Sequence, residues 1–527
     1  MLPNILLIVA DDLGWSDLGA FGGEINTPNL DALALAGMRL TNFHTAPVCA
    51  PTRAMLMTGA DHHEVGLGVM HETITPAHRG KPGHEGHLND RAAPISARLN
   101  AAGYRTVMAG KWHLGRTEEQ SAKAWGFERS FSLMGGEHNH YGMDQTDATG
   151  GTHGPTLYRE DGKQVIYPEG EYSTDYFAAR LSAFISAGEG DARPLFAYLP
   201  FTAPHSPLQA PEDIVAKYRG WYDDGPEALR ERRLARMREL NLPTGHWRPA
   251  AFQGSAPWGE LSAQTRAQEA KRMEVYAAMV ECMDRAVGRV MDTLRRVGKL
   301  ENLVVFFLSD NGPAGVARET MSPWKEMIAA QADNSVENIG RASSYASTGP
   351  RWAQAQAAPF SLFKRFTTEG GVRTCSFVTG LGAQAATVQA QRTSDTCLHV
   401  LDYAATLLDL GGVEPKAVPG KAPMRGHSAL AHFAGKADHV RPAHAIHGWE
   451  FLFGRGIRQG DWKAVYLPAI AKTSISPNLP TERWQLFNLA NDPGETTDLA
   501  EREPEQMRNL LAAWDQYARE TGVVLNA

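Results

Sequence analysis

The stretch PNILLIVADD, Pro3 to Asp12, decides how the rest of the chain is read. From Asn4 to Ala10 it is a short, continuous apolar run, the pattern of a strand covered on both faces rather than one with a wet side. No basic segment precedes it, no small-residue cleavage site follows, and two aspartates end it at once. It therefore reads as a buried first strand and not as a signal peptide. A strand of this kind needs helices on either side, and the chain supplies them. TPNLDALALAGMRL predicts a helix with Thr27 as N-cap, Pro28 at its first position, Leu30, Leu33 and Ala34 on one face, and Gly37 as its stop. PISARLNAAGYRTVMAGKWHLG predicts a helix ending at Gly103, a strand from Tyr104 to Ala109 and a loop. RPLFAYLPF is a third buried strand. MEVYAAMVECMDRAVGRVMDTLRRVG is a long amphipathic helix stopped by Gly298, and NLVVFFLSDNG is a fourth strand ending in a turn. The alternation predicts an α/β fold with a large, mainly parallel sheet flanked by helices.

Residues 313–358 show no period and read as a long excursion over a site, or a lid. From about residue 436 the texture changes to short strands around turns and a final helix from about Pro504. The expected organisation is thus 1–435 as one α/β domain and 436–527 as a small subdomain with an antiparallel sheet and a helix.

Bulk properties narrow the function. The 527 residues carry a formal net charge of −7, which disfavours a nucleic-acid partner, since such proteins usually present a basic face. No apolar run approaches the roughly 18 residues of a membrane span. Cys49, Cys282, Cys375 and Cys397 are too few for a disulfide framework and form no CxxC pair. These features predict a cytoplasmic protein.

Ligands of open α/β sheets collect at the carboxyl ends of the strands. Here those ends carry Asp11 and Asp12, then Lys111 and His113, then His205, then Asp310 and Asn311. The acids and the amide offer only oxygen, a set suited to Ca²⁺ or Mg²⁺ rather than zinc. A second feature stands beside them. PVCAPTRAMLMTG, Pro47 to Gly59, sets Cys49 at the start of a helix, where free N–H groups favour an anion, with Arg53 one turn on. Cations around one nucleophile-bearing position describe a site for transferring an oxyanion. Yet a thiolate is a soft partner for an all-oxygen metal site.

CAPTR at 49–53 resembles the signature of the type I sulfatases of the alkaline phosphatase superfamily. PNILLIVADDLGWSDLGAFGG, GKWHLG, PFTAPHSPLQAP, FLSDNG, TTEGGVR and WQLFNLANDPGETTDLA follow in that family's order. The resemblance implies that a maturation enzyme converts Cys49 to formylglycine, which replaces the soft sulfur by hard oxygen. It implies Ca²⁺, in preference to Mg²⁺, held by Asp11, Asp12, Asp310, Asn311 and residue 49. It further implies a small aryl or alkyl sulfate ester as substrate, with attack on sulfur by the residue at 49 and Asp310 accepting its proton. By the same resemblance His205 protonates the leaving oxygen, Lys111 and Lys364 hold the sulfate, Arg53 braces residue 49, and His113 takes the last proton. Two other readings stand beside this one. A phosphonate monoester or phosphodiester hydrolase of the same superfamily would use the same nucleophile, and a non-catalytic anion-binding protein would keep Cys49 as a thiol.

Other residues invite chemistry less strongly. His62 and His63 read as loop residues supporting the site, and His138 and His140 as a loop beside the substrate. Met55, Met57 and Met70 read as core or pocket wall, Trp112 as an aryl-packing or buried residue, and Cys282 as core.

Overall fold

The computed structural model describes residues 2–145, 155–254, 256–322, 324–382, 388–389, 392–442, 444–474 and 479–525. The large sheet is built from β1 (Asn4–Ala10), β2 (Met38–His44), β3 (Arg105–Lys111), β4 (Arg129–Leu133), β5 (Tyr158–Glu160), β6 (Lys163–Val165), β7 (Leu195–Pro200), β8 (Asn302–Ser309), β9 (Arg373–Gly382), β10 (Arg392–Ser394) and β11 (Leu398–His399). Their order is β10-β2-β9-β8-β1-β7-β3-β4-β5-β6, with β11 also on β2. β1 lies centrally, parallel to β7 and β8. β9 runs antiparallel between β8 and β2, and β5 and β6 add an antiparallel edge.

The apolar run of β1 has a direct cause. Leu6, Ile8 and Ala10 enter one core, beneath the long helix Ala263–Arg296. Ile5, Leu7 and Val9 enter a second core on the opposite face, beneath the helices Cys49–Thr58 and Val400–Leu410. Because successive side chains alternate faces, both sets had to be apolar.

Three local readings need correction. β3 runs to Lys111 rather than ending at Ala109, so Lys111 sits on the strand itself. The long helix begins at Ala263, not Met273, because Ser262 caps it by accepting from the Thr265 N–H at 3.0 Å. That first stretch is polar and shows no apolar period. Thr27 precedes its helix but does not cap it: its hydroxyl accepts from the Gly19 N–H at 3.1 Å.

The excursion 313–358 is only partly a cover. Its second helix, Pro350–Ala357, is core: Trp352 is buried and donates through Nε1 to the Glu269 carbonyl at 2.8 Å. A two-turn helix buried nearly all round has no amphipathic period to read.

Beyond it, β12 (Ile446–Phe451), β13 (Gly454–Gln459), β14 (Trp462–Tyr466) and β15 (Trp484–Asn488) form a four-stranded antiparallel sheet. The helix Pro504–Thr521 packs Leu510, Ala513, Trp514 and Tyr517 against Ile457, Ala464 and Leu486 of that sheet.

Candidate active site

Parallel pairing brings the predicted strand ends together. Ala10 of β1 stands opposite Ser309 of β8, and Val9 opposite Pro200 of β7. Just beyond, the Asp310 N–H donates to Ala10 at 3.0 Å and the Asp11 N–H to Ala203 at 3.1 Å. Asp11, Asp12, Lys111, Asp310 and Asn311 are all buried at this one place. Asp12 and His113 both adopt left-handed backbone, φ 68° and 55°, a conformation that concentrates at functional sites.

Cys49 is the first residue of the helix Cys49–Thr58, after an extended Val48. Thr52 shapes the approach: its hydroxyl accepts from the Ala46 N–H at 2.9 Å. Cys49 Sγ lies 3.3 Å from His113 Nδ1, while His113 Nε2 lies 3.3 Å from Glu72. Burial would raise the Cys49 thiol, but Lys111, His113 and Lys364 outweigh it and hold the thiol below its ordinary value. Burial would likewise lower His113. The sulfur and Glu72 reverse that and bring it to about 9.

The charges form matched pairs. Lys111 Nζ lies 2.6 Å from Asp11 Oδ2, and Lys364 Nζ 2.6 Å from Asp12 Oδ1. Arg53 grips Asp310 Oδ2 through Nε at 2.9 Å and Nη2 at 2.7 Å, and donates to the Lys111 carbonyl at 3.0 Å. Arg53 therefore braces Asp310, and it also stands close enough to residue 49 for the two charges to act on each other. His205 donates through Nδ1 to the Ser206 carbonyl at 2.6 Å, which leaves Nε2 facing Asp12 at 3.5 Å.

The donor set fits a hard cation. Asp11 Oδ1, Asp12 Oδ2 and Asn311 Oδ1 are buried with no hydrogen-bond partner among the described residues. A buried orphan oxygen costs on the order of 1–3 kcal/mol, and three of them in one all-oxygen cluster are what a divalent ion would satisfy. The ligating atoms of Asp11, Cys49 and Asp310 lie within 4.8 Å of one another.

The sulfatase family profile matches residues 3–413. The chain is 41% identical to an uncharacterized sulfatase of Schizosaccharomyces pombe, over 99% of this chain and 94% of that one. It is 36% identical to an arylsulfatase of Klebsiella aerogenes, over 80% and 89%.

The chain belongs to the sulfatase family.

Solved structures agree on the fold of this sulfatase. PsFucS1 sulfatase from Pseudoalteromonas sp. superposes with TM-score 0.64 at 21% identity, covering 100% of this chain and 92% of that one. Ps i-CgsB, solved with a neocarrahexaose, gives 0.68 at 22%, covering 98% and 93%.

A cavity of this sulfatase, the candidate active site, is lined by Cys49, Asp12, His113, His205 and Lys364 among others. Met70, Val316 and Trp324 give it apolar wall, and Glu72, Arg116, Glu137, Arg318 and Arg365 add charge. Glu72, the partner of His113, escaped the sequence reading because it lies in an excursion without periodicity. Residues 146–154, which follow the loop of His138 and His140, fall outside the described residues. His138 and His140 do not line the cavity. They brace the loop behind it, His138 Nε2 at 2.7 Å from the Thr202 hydroxyl and His140 Nε2 at 3.1 Å from the His205 carbonyl. Trp112 is buried against Phe127 and donates to the Gln120 carbonyl. Met55, Met57 and Cys282 are core.

His62 and His63 form a buried knot away from the reacting groups. His63 lies 2.8 Å from Asp61 and 3.2 Å from Glu450 of β12, and the Tyr517 hydroxyl donates to Asp61 at 2.9 Å. Burial would depress His63, but its two carboxylate partners push it up to about 9. A pKa raised above the unfolded value of about 6.5 contributes stability that is complete below that pH and disappears as pH rises through the folded value. Neighbouring His62, pressed down to about 3 by burial and by the charge on His63, is neutral throughout this window and adds no slope. The His63 contribution to the melting temperature is therefore expected to fall as pH rises from about 6.5 to about 9. His63→Gln should flatten that decline, and an unchanged slope in the variant would refute the assignment.

Proposed function

We propose that this sulfatase is an arylsulfatase that carries formylglycine at position 49 and Ca²⁺ among Asp11, Asp12, Asp310, Asn311 and residue 49. The observation that carries the reading is the sulfur of Cys49 inside a cluster of otherwise oxygen donors, within 4.8 Å of the Asp11 and Asp310 ligating atoms. A thiol is the wrong atom there, and an aldehyde hydrate the right one. Cys49 is only 3% exposed, so a maturation enzyme would meet this segment before the chain closes over it. The cavity's Met70, Val316 and Trp324 support an aryl leaving group.

When bound, the cation would draw charge from the sulfate oxygens, and the hydrate would supply a hydroxyl nucleophile. The chain's own groups do the rest. Lys111 and Lys364 hold the sulfate oxygens. Asp310, oriented by Arg53, accepts the proton of the attacking hydroxyl. His113 stands beside residue 49 to take a second proton, since the sulfur charge that raises it is gone once residue 49 is an aldehyde hydrate and burial then favours the neutral ring. His205, its Nδ1 proton fixed on Ser206, offers Nε2 to the leaving oxygen. Burial together with Lys364 and Lys111 keeps His205 neutral; an arriving sulfate offsets those two cations and lets the ring protonate with substrate in place.

Cys282, Cys375 and Cys397 form no disulfide among the described residues, which supports a reducing, cytoplasmic setting. The four-stranded sheet that starts at Ile446, with its helix, supports a division into 1–435 and 436–527. Substrate and metal are tested together. Purified protein should hydrolyse 4-nitrophenyl sulfate well ahead of the matching phenylphosphonate ester. Exhaustive chelation should cut the rate at least about 100-fold, since the metal supplies several kcal/mol of charge stabilisation, and Ca²⁺ should restore it better than Mg²⁺. Full activity without metal, or a faster phosphonate, would overturn the proposal.

A further inference from the structure

Lys364 and Arg365 are consecutive, yet both line the active cavity. Regular strand geometry would send neighbours to opposite sides. Arg365 instead has φ 81°, a left-handed backbone that is strained for a residue with a Cβ. The kink is pinned in place: the Arg365 N–H donates to the Pro47 carbonyl at 2.8 Å, two residues before Cys49. Strain kept at a ligand cavity calls for a use of the side chain it aims.

The other cations of the cavity already have carboxylates. Lys364 holds Asp12, Arg116 lies 3.8 Å from Glu72, and Arg318 is paired with Glu137. Arg365 has no ion pair and no side-chain hydrogen bond among the described residues. The charged group that acts on it is a second cation, Arg318. Burial first, and Arg318 after it, lower this guanidinium to about 10. Arg365 is half-buried, and a charge partly withdrawn from water without a counter-charge carries a cost that a ligand anion would offset. The reacting sulfate has cations of its own: those that act most strongly on Cys49 are Lys111, His113 and Lys364. Apolar wall from Val316 and Trp324 shares the cavity, so a ring and a second charge can be accommodated together.

We infer that Arg365 is a specificity residue that binds a second anionic group, a carboxylate or a further sulfate, carried by the aryl sulfate away from the ester being cleaved. The inference rests on the arylsulfatase reading above and names the class of aryl sulfate it would select.

The test compares 2-, 3- and 4-carboxyphenyl sulfates with their neutral carboxamides, and the benzene bis-sulfates with phenyl sulfate. Wild type, Arg365→Gln and Arg365→Lys are measured for kcat and KM. In wild type the best charged isomer should exceed its neutral partner by about tenfold or more in kcat/KM, the discrimination that about 1.4 kcal/mol of differential binding gives. Arg365→Gln should cut that ratio by about tenfold, mainly through KM, and Arg365→Lys should restore part of it. Because each ratio is taken within one enzyme, a general loss of activity cancels. Raising salt should erode the wild-type preference, a readout that stands even if the glutamine variant does not fold. The carboxylate and sulfate arms identify which anion is preferred. Neutral esters turned over with no preference for any charged isomer, or a ratio unmoved by Arg365→Gln, would overturn the inference while leaving the arylsulfatase reading intact. No turnover of any aryl sulfate would overturn both.

Discussion

Replacing Cys49 with alanine is expected to lower kcat/KM for an aryl sulfate by about 10⁵-fold or more, the scale seen when a covalent nucleophile is removed. The side chain is buried at the first turn of its helix, and alanine suits that position, so folding should be nearly unaffected. The loss would be chemical. Lys111, Lys364, Arg53 and the acids would remain in place, and substrate should still bind. A KM close to wild type beside a collapsed kcat would therefore separate loss of the nucleophile from loss of the site. The companion measurement is the mass of the tryptic peptide Leu40–Arg53 from native protein. Formylglycine would appear as loss of H₂S and gain of one oxygen. An intact thiol in every copy of a protein that still cleaves sulfate esters would end the formylglycine mechanism, and a fully active Cys49→Ala would do the same.

The second large effect is on stability. Lys463→Met is expected to cost about 3–5 kcal/mol, the range for stripping one partner from a buried ion network. Lys463 is wholly buried on β14, its Nζ 2.7 Å from Glu369 and 3.0 Å from Glu495. Glu369 is also met by His44 at 3.1 Å and Arg373 at 3.2 Å. Burial, opposed by Lys463 but reinforced by Glu369, lifts Glu495 to about 7. Without Lys463 the two carboxyls would face each other in a dry interior. The network joins the C-terminal sheet to the segment that carries Lys364, so the variant should also lose activity at temperatures where it remains folded. Lys163→Met provides the contrast. Its partner Glu118 is 2.6 Å away, but the Lys163 side chain is 76% exposed, and such surface pairs are worth about 1 kcal/mol or less. Thermal melts of the two variants should differ clearly; equal shifts would show that the Lys463 network is not what joins the parts.

Much of the site was legible in the chain itself because parallel strands present their ends at one edge. Once β1, β3, β7 and β8 were read as buried strands, Asp11, Lys111, His205 and Asp310 had to converge, whatever the loops between them did. Residues on the excursions were not legible in this way. Glu72 and Arg318 have no periodic neighbours, and their place at the cavity depends on how long loops return. Thr27 has the residue type of a cap yet bonds elsewhere, since a hydroxyl takes whichever donor the packing brings near.

The sequence by itself determined that this is an α/β chain buried on both faces of its central strand, with oxygen donors and cations at the strand ends and a cysteine opening a helix beside them. Those features are local in the chain, set by alternation, turn chemistry and residue type. Only the tertiary structure decided how charges are matched: Arg53 to Asp310, Lys463 to Glu369 from 94 residues away, and Arg365 to no carboxylate among the described residues. The worth of a buried charge depends on its distance to the counter-charge and on the water removed around it, and a linear order of residues records neither.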